Sequence, residues 1–539
     1  MTRVSRIVAL SILLIAGCGG AEAHSFGVTY NLPIPVWMYA FAASATLALS
    51  FLMLGFFMSG GGSKRVSRAI EIEAVVPRIP CTIFRYLSVF LLALTILTGI
   101  FGTQLPLNNF SLTFFWVGFV LGFAYLTALI GDVYDFINPW RVICDAIGRF
   151  HPKAFEGCVR YPAWLAYYPA LLLYMGFIWL ELFGHATPRT LGLTLLGYTL
   201  LNFAAAACFG ADAWFRYGEF FAVFFRLLGK ISPIAYVQSA GPEPNVKARI
   251  GRPFAALTED TAEHPSLLLF VLFMLSSTAF DGAHETLPFV QMFWKYIFPP
   301  LTWVIAQPYS FFVTLYYVWQ WIMLWLSPFI YLAIYLTFVW MMTGSGLSLR
   351  ERALTFCYSL IPIAFVYNVC HYFTLLFTDG PRLLQLISDP FGVGADFFGT
   401  AKLAQAQIIP PASFVWHTQV GLILLGHLVS VYLAHVQALW IFPEKRKALW
   451  SQFPMLILMI AFTTVGLWIL SLPIGAGQVM DPLPTGSLLP PAKAIGDVAG
   501  GSGTTHPIMT RLCMRELNLG KERHGSVFCL PMPALPATS

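Results

Sequence analysis

The residues with chemical potential in this chain are a sparse set of histidines and carboxylates placed in long apolar runs. His371 lies in one such run, and His417, His427 and His435 lie in another. Asp281 closes a third, with His284 just beyond it, and Glu181 closes a fourth. His24 stands just ahead of the first mature run. Imidazoles and carboxylates together are the ligand set of divalent transition metals such as zinc and copper. Such a metal polarises an oxygen or supplies hydroxide near neutral pH. On that chemistry His371, His417, His427 and His24 are the candidate metal ligands. Asp281 and Glu181 are the candidate catalytic carboxylates, as ligand or general base. Each histidine alone equally suits a plainer task, donating to a carbonyl and joining two helices.

The elements that carry these residues follow from composition. Of 539 residues, 58% are hydrophobic and 10% charged, and the mean hydropathy is +0.72. A soluble domain has about 25% charged residues, so this chain takes the lipid bilayer as its solvent. In lipid only helices and closed barrels satisfy their backbones. The apolar runs are long and continuous, which selects helices. The expected fold is therefore all-α, a polytopic transmembrane helix bundle of about ten spans. The spans fall near 36–58, 83–102, 112–130, 162–183, 191–210, 265–280, 318–342, 354–377, 414–439 and 455–472.

Every second loop is basic. Lys64, Arg65 and Arg68 follow the first span; Arg141, Arg149, Lys153 and Arg160 follow the third. Arg216 through Arg252, then Arg350 and Arg352, then Lys445 to Lys447 repeat the pattern. The positive-inside rule places these loops in the cytoplasm and both termini outside, as in a multi-pass protein of a bacterial inner membrane. The formal charge of +6 is spread over these loops, with no basic, aromatic-laced cluster to bind nucleic acid.

Residues 1–23 read as a signal peptide, with Arg3 and Arg6, an apolar stretch and Ala21-Glu22-Ala23 as the cleavage site. Cleavage there makes His24 terminal, an amine–imidazole chelate suited to copper. Ile15-Ala16-Gly17-Cys18 is the rival reading, a lipoprotein box. Residues 24–474 form the transmembrane domain, and 475–539 an extracytoplasmic, disordered tail holding Cys513 and Cys529. Ala211–Val237 suits a helix lying on the membrane surface, and Gln291–Phe312 an outer interfacial or re-entrant segment.

Orientation sorts the polar residues by depth. His371 falls in the outer half of its span, about 8 Å beyond the centre at 1.5 Å per residue. His417, Asp281, Glu181 and His24 share that outer depth. His427 is central and sits about 80° from the helix face shared by His417 and His435, so the three do not meet at one ion. Haem is disfavoured, because the eighth span offers one histidine rather than a pair.

Several stretches together resemble a family of bacterial membrane proteins named fenitrothion hydrolases. They are His24 with Leu32-Pro33-Ile34-Pro35, Gly131-Asp132 through Asn138-Pro139-Trp140, Ser277-Thr278-Ala279-Phe280-Asp281-Gly282, His371-Tyr372-Phe373, and Gly426-His427 with Leu433-Ala434-His435. The resemblance runs from about His24 to about Leu472. It implies hydrolysis of an organophosphate triester, a lipophilic small molecule met within the outer leaflet. The competing reading from the residues alone is a copper, other metal or proton-linked membrane transporter, or an assembly protein, with the intramembrane histidines as relay or as joints.

Overall fold

A computed structural model describes residues 22–25, 28–31, 34–57, 72–75, 78–184, 187–238, 246–305, 309–342, 344–401, 403, 408–442 and 444–472. Most of the signal segment, the Lys64–Arg68 loop, Cys18 and the whole tail with Cys513 and Cys529 lie outside those residues. Nine described helices are long and apolar enough to cross a membrane. In chain order these and their shorter companions are α1 (Val36–Phe57), α2 (Arg78–Phe101), α3 (Phe110–Ile130), α4 (Tyr168–Phe183), α5 (Pro188–Phe209), α6 (Ala211–Tyr217), α7 (Phe220–Gly229), α8 (Pro265–His284), α9 (Tyr309–Met341), α10 (Leu349–Thr378), α11 (Ala412–Ile441) and α12 (Phe453–Ser471). Sixteen-residue α4, where a tenth span was expected, is apolar but shorter than these nine. The fold is an all-α polytopic bundle, as composition required.

Among the described residues, strand is confined to two small pieces. β1 (Glu22–Ser25) and β2 (Val28–Asn31) form a hairpin that pairs His24 with Thr29. β3 (Ile72–Val75), β4 (Ile234–Gln238) and β5 (Val246–Ile250) make an antiparallel sheet in the order β3-β5-β4, among the basic loops.

The bundle is centred on α8. Its residues are buried along almost the whole length, because α8 is apolar all round and packs against α4, α9, α10 and α12. Pro265 opens α8, and the His264 ring accepts from the Ser266 amide at 3.2 Å, which caps the helix. Two spans depart from regular α geometry. Phe114–Phe123 of α3 is a π-helix, and Cys357–Leu360 is a 3-10 turn within α10. Such interruptions occur where a bundle makes room for function.

The segment expected to lie on the membrane surface does not. α6 and α7 form a helical hairpin inserted between the spans. Trp214 Nε1 donates to Asn202 Oδ1 at 2.7 Å, and the Tyr198 hydroxyl donates to Glu219. Asn202 and Tyr198 stand seven and eleven residues up α5 from its end at Phe209. The tip, Gly218-Glu219, therefore sits about 16 Å into the bundle from the basic-loop face, near mid-depth. α7 then returns, so that Gly229 packs on the backbone of Asp132. The reason is legible afterwards: Phe220, Phe221, Val223, Phe225, Leu227 and Leu228 surround a ten-residue helix too short to span and too apolar for a surface.

A single ionisable group holds the tip. Glu219 is fully buried, and its two oxygens accept from the Phe221 amide (3.0 Å), the Ala222 amide (2.7 Å), Asn138 Nδ2 (3.2 Å) and the Tyr198 hydroxyl. Two of these donors are the first free amides of α7, where a carboxylate also meets the positive end of the helix. Asn138 in turn caps the helix Pro139–Phe150 through the Trp140 and Arg141 amides. Asn138-Pro139 thus forms the entry to that helix, and Arg141 pairs with Asp135 at 2.9 Å. Asn202 joins α5 to α6.

Candidate functional site

Asp281, in the last turn of α8, points between α4 and α10. Its Oδ2 accepts from His371 Nε2 at 2.7 Å and from the Tyr372 hydroxyl at 2.6 Å. The Glu181 carboxyl of α4 adjoins the same Tyr372 hydroxyl. His284 bonds the Asp281 carbonyl at 2.8 Å and stands 3.9 Å from its Oδ1. Three spans thus deliver a continuous chain of proton-bearing groups, Glu181–Tyr372–Asp281–His371. The Asp281 side chain is 13% exposed and that of His371 22%. The network is sheltered without being sealed.

Local sequence explains the convergence. Asp281 and His284 are three apart and share a helix face. Gly282 lets α12 close in: a Cβ there would lie 3.0 Å from Ile469 and 3.9 Å from the His371 ring. Beside the network lies a cavity of about 30 Å³ lined by Glu181, Asp281, Tyr372, Ser277, Thr278 and Asn368, with Phe220, Phe221, Phe224 and Phe225 of α7 as its floor. That volume suits one or two waters, and the lining polar groups are suitable partners.

The remaining predicted ligands lie elsewhere. His417 is exposed and bonds Ser413 of its own helix at 2.6 Å, so it does not turn to His371. His427 is fully buried, bonds the Ile423 carbonyl at 2.8 Å and packs edge-on to Tyr367; its Nε2 has no hydrogen-bond partner among the described residues. His435 bonds Gln452 at 3.1 Å. The His24 backbone lies in β1, which packs beside α11 and α12. Among the described residues no group of three or more His, Cys, Asp and Glu is arranged to hold a metal ion. The donor set for zinc or copper is therefore dispersed, and His371 Nε2 is already committed to Asp281. Sequence reasoning missed Tyr372, the residue linking the two acids; its place beside His371 was the available signal.

α7 joins this site to the basic face. Its Phe220–Phe225 half floors the small cavity, while Arg226, Leu227, Gly229 and Lys230 line a second cavity of about 660 Å³ open toward the basic loops. Phe119 and Phe123 of the π-helical stretch pack edge-on to Phe225, at 5.5 and 5.0 Å between ring centroids. Only about one turn of α7 and these rings separate the two spaces.

No protein family, curated protein or solved structure matches the chain. The fold and site define its class: a multi-pass, all-α membrane protein with a re-entrant helical hairpin and a sheltered carboxylate–tyrosine–histidine network. The resemblance to fenitrothion hydrolases rests on short sequence stretches alone.

Proposed function

We infer that this protein is a proton-linked membrane transporter. The observation that carries the reading is α7: a ten-residue helix with a proton-bearing network above one half and a large charged cavity below the other. Transporters bind cargo near mid-depth, between interrupted helices, and open alternately to each side. Here the basic-face cavity is the open one. Ionisable groups at membrane depth are costly, and a chain of four that share protons has a use in moving one. His371 and Asp281 exchange a proton over 2.7 Å, with Tyr372 connecting Glu181 to the same oxygen. A proton entering or leaving that network changes the net charge above the Phe220–Phe225 barrier.

Metal-dependent hydrolysis has less support. A space of about 30 Å³ does not admit an aryl phosphotriester, since small-molecule sites run to roughly 300–1,000 Å³. The test separates the two. Purified protein in liposomes, with an acid-outside gradient, is offered a radiolabelled mixture of amino acids, dipeptides, organic acids and sugars. Gradient-driven accumulation that Asp281→Asn abolishes is the expected result. Uptake indifferent to the gradient sinks the reading; phosphotriester hydrolysis lost in His371→Ala restores the enzyme.

A further inference from the structure

The cavity at the basic face has an uneven balance of charge. Arg141 is bracketed by Asp135 at 2.9 Å and Asp212 at 3.2 Å, Arg216 meets Glu263 at 3.5 Å, and Lys230 meets Asp260. Two opposite charges on the same wall are left without an ion pair among the described residues. Arg226 donates to the Arg216 carbonyl at 2.8 Å and lies 5.8 Å from the centre of the Tyr167 ring. Asp132 accepts only the Asp135 amide, at 3.3 Å.

Both are held in place by the fold. Arg226 is on α7, one turn before Gly229, and a Cβ on Gly229 would come within 2.7 Å of the Asp132 amide nitrogen. The missing side chain at Gly229 thus brings Asp132 to the foot of the helix that carries Arg226. Each feels the other. Burial and the neighbouring Asp135 push the Asp132 carboxyl up to about 7, while Arg226 and Lys230 pull it back. Asp132 is desolvated, and Arg226 has no carboxylate partner among the described residues, so a solute that brings both complements gains a charge-assisted contact at each.

We propose that this cavity binds a small zwitterion, its anionic group on Arg226 and its ammonium on Asp132. The volume of about 660 Å³ falls among small-molecule sites. Aromatic walls at Tyr167 and Tyr358 leave room for an apolar spacer between the two charges. Two sources carry this chemistry: a free dipeptide, about 7 Å long when extended, and the phosphoethanolamine headgroup of a lipid. As a cargo site it rests on the transporter reading; as a binding site it stands apart from it.

The test is calorimetric titration of the full chain in delipidating detergent with dialanine, N-acetyl-dialanine, dialanine amide and glycerophosphoethanolamine. Dialanine or glycerophosphoethanolamine is expected to bind, and the tighter of the two names the source. Capping either end of dialanine should weaken binding at least 10-fold. Asp132→Asn should no longer distinguish dialanine from its N-acetyl form, and Arg226→Gln should no longer distinguish it from the amide. Arg226→Lys, which keeps the charge, should retain binding and controls for folding. Binding of neither zwitterion, or of capped and free forms equally, overturns the proposal, as does discrimination surviving in both variants. Zwitterion binding without gradient-driven uptake removes the transporter and leaves the site; driven uptake of other solutes without such binding does the reverse.

Discussion

Glu219→Gln tests whether one carboxylate holds the re-entrant hairpin. Oε1 accepts from the Phe221 amide and Tyr198, and Oε2 from the Ala222 amide and Asn138. A glutamine keeps the shape but replaces one acceptor with an NH₂ donor. Whichever way the amide turns, two of four donors lose their acceptor. Each hydrogen bond to a buried charged group contributes about 1.5–3 kcal/mol, so the loss is roughly 3–6 kcal/mol. Spread over the whole bundle, that loss lowers the melting point by only several degrees. The sharper assay is local. Ala222 is buried against Glu219, and a cysteine placed there should resist a thiol reagent in the parent chain. In the Glu219→Gln background it should label at least 10-fold faster, with global melting shifted far less. Unchanged labelling, or complete loss of the folded bundle, would refute the reasoning that this carboxylate secures the hairpin tip.

Further outcomes follow from the same contacts. Gly466→Ala places a methyl group against the Tyr367 hydroxyl, which bonds the Phe462 carbonyl at 2.8 Å, and should cost about 1–3 kcal/mol by overpacking in a thermal melt. Tyr372→Phe removes the 2.6 Å bond to Asp281 and the link to Glu181, and should slow gradient-driven uptake while preserving expression and melting within a few degrees. Dialanine affinity should depend on pH. With Asp132 near 7 in the empty site, facing Asp135, Arg226 and Lys230, the ligand's ammonium favours the ionised carboxyl. Affinity should therefore rise about 10-fold per unit from pH 5 to 7, then fall as the ligand's own amine deprotonates near 8; titration across that range checks it.

The membrane bundle was legible because lipid imposes a crude requirement, long apolar runs with basic loops between them. All ten expected spans coincide with helices. Depth was legible by the same means, and it correctly placed Asp281, Glu181 and His371 at one level. Their grouping was not, since position around each helix depends on which spans are neighbours. His417 shares the depth but is exposed, whereas Tyr372, given no chemical role among many tyrosines, faces Asp281. The hairpin was misjudged for a related reason. An apolar ten-residue helix beside basic residues suits a membrane surface as well as an interior, until Asn202, Tyr198 and Glu219 are seen to bond across it.

The central claim is that proton movement at Asp281 drives a solute through the cavity below α7. The most direct test follows dialanine and protons together, in liposomes carrying an internal pH dye. Dialanine addition should acidify the interior in step with uptake, and Asp281→Asn should abolish the proton signal while leaving calorimetric binding of dialanine intact. Proton movement that persists in Asp281→Asn, or dialanine uptake with no accompanying protons, would contradict the account.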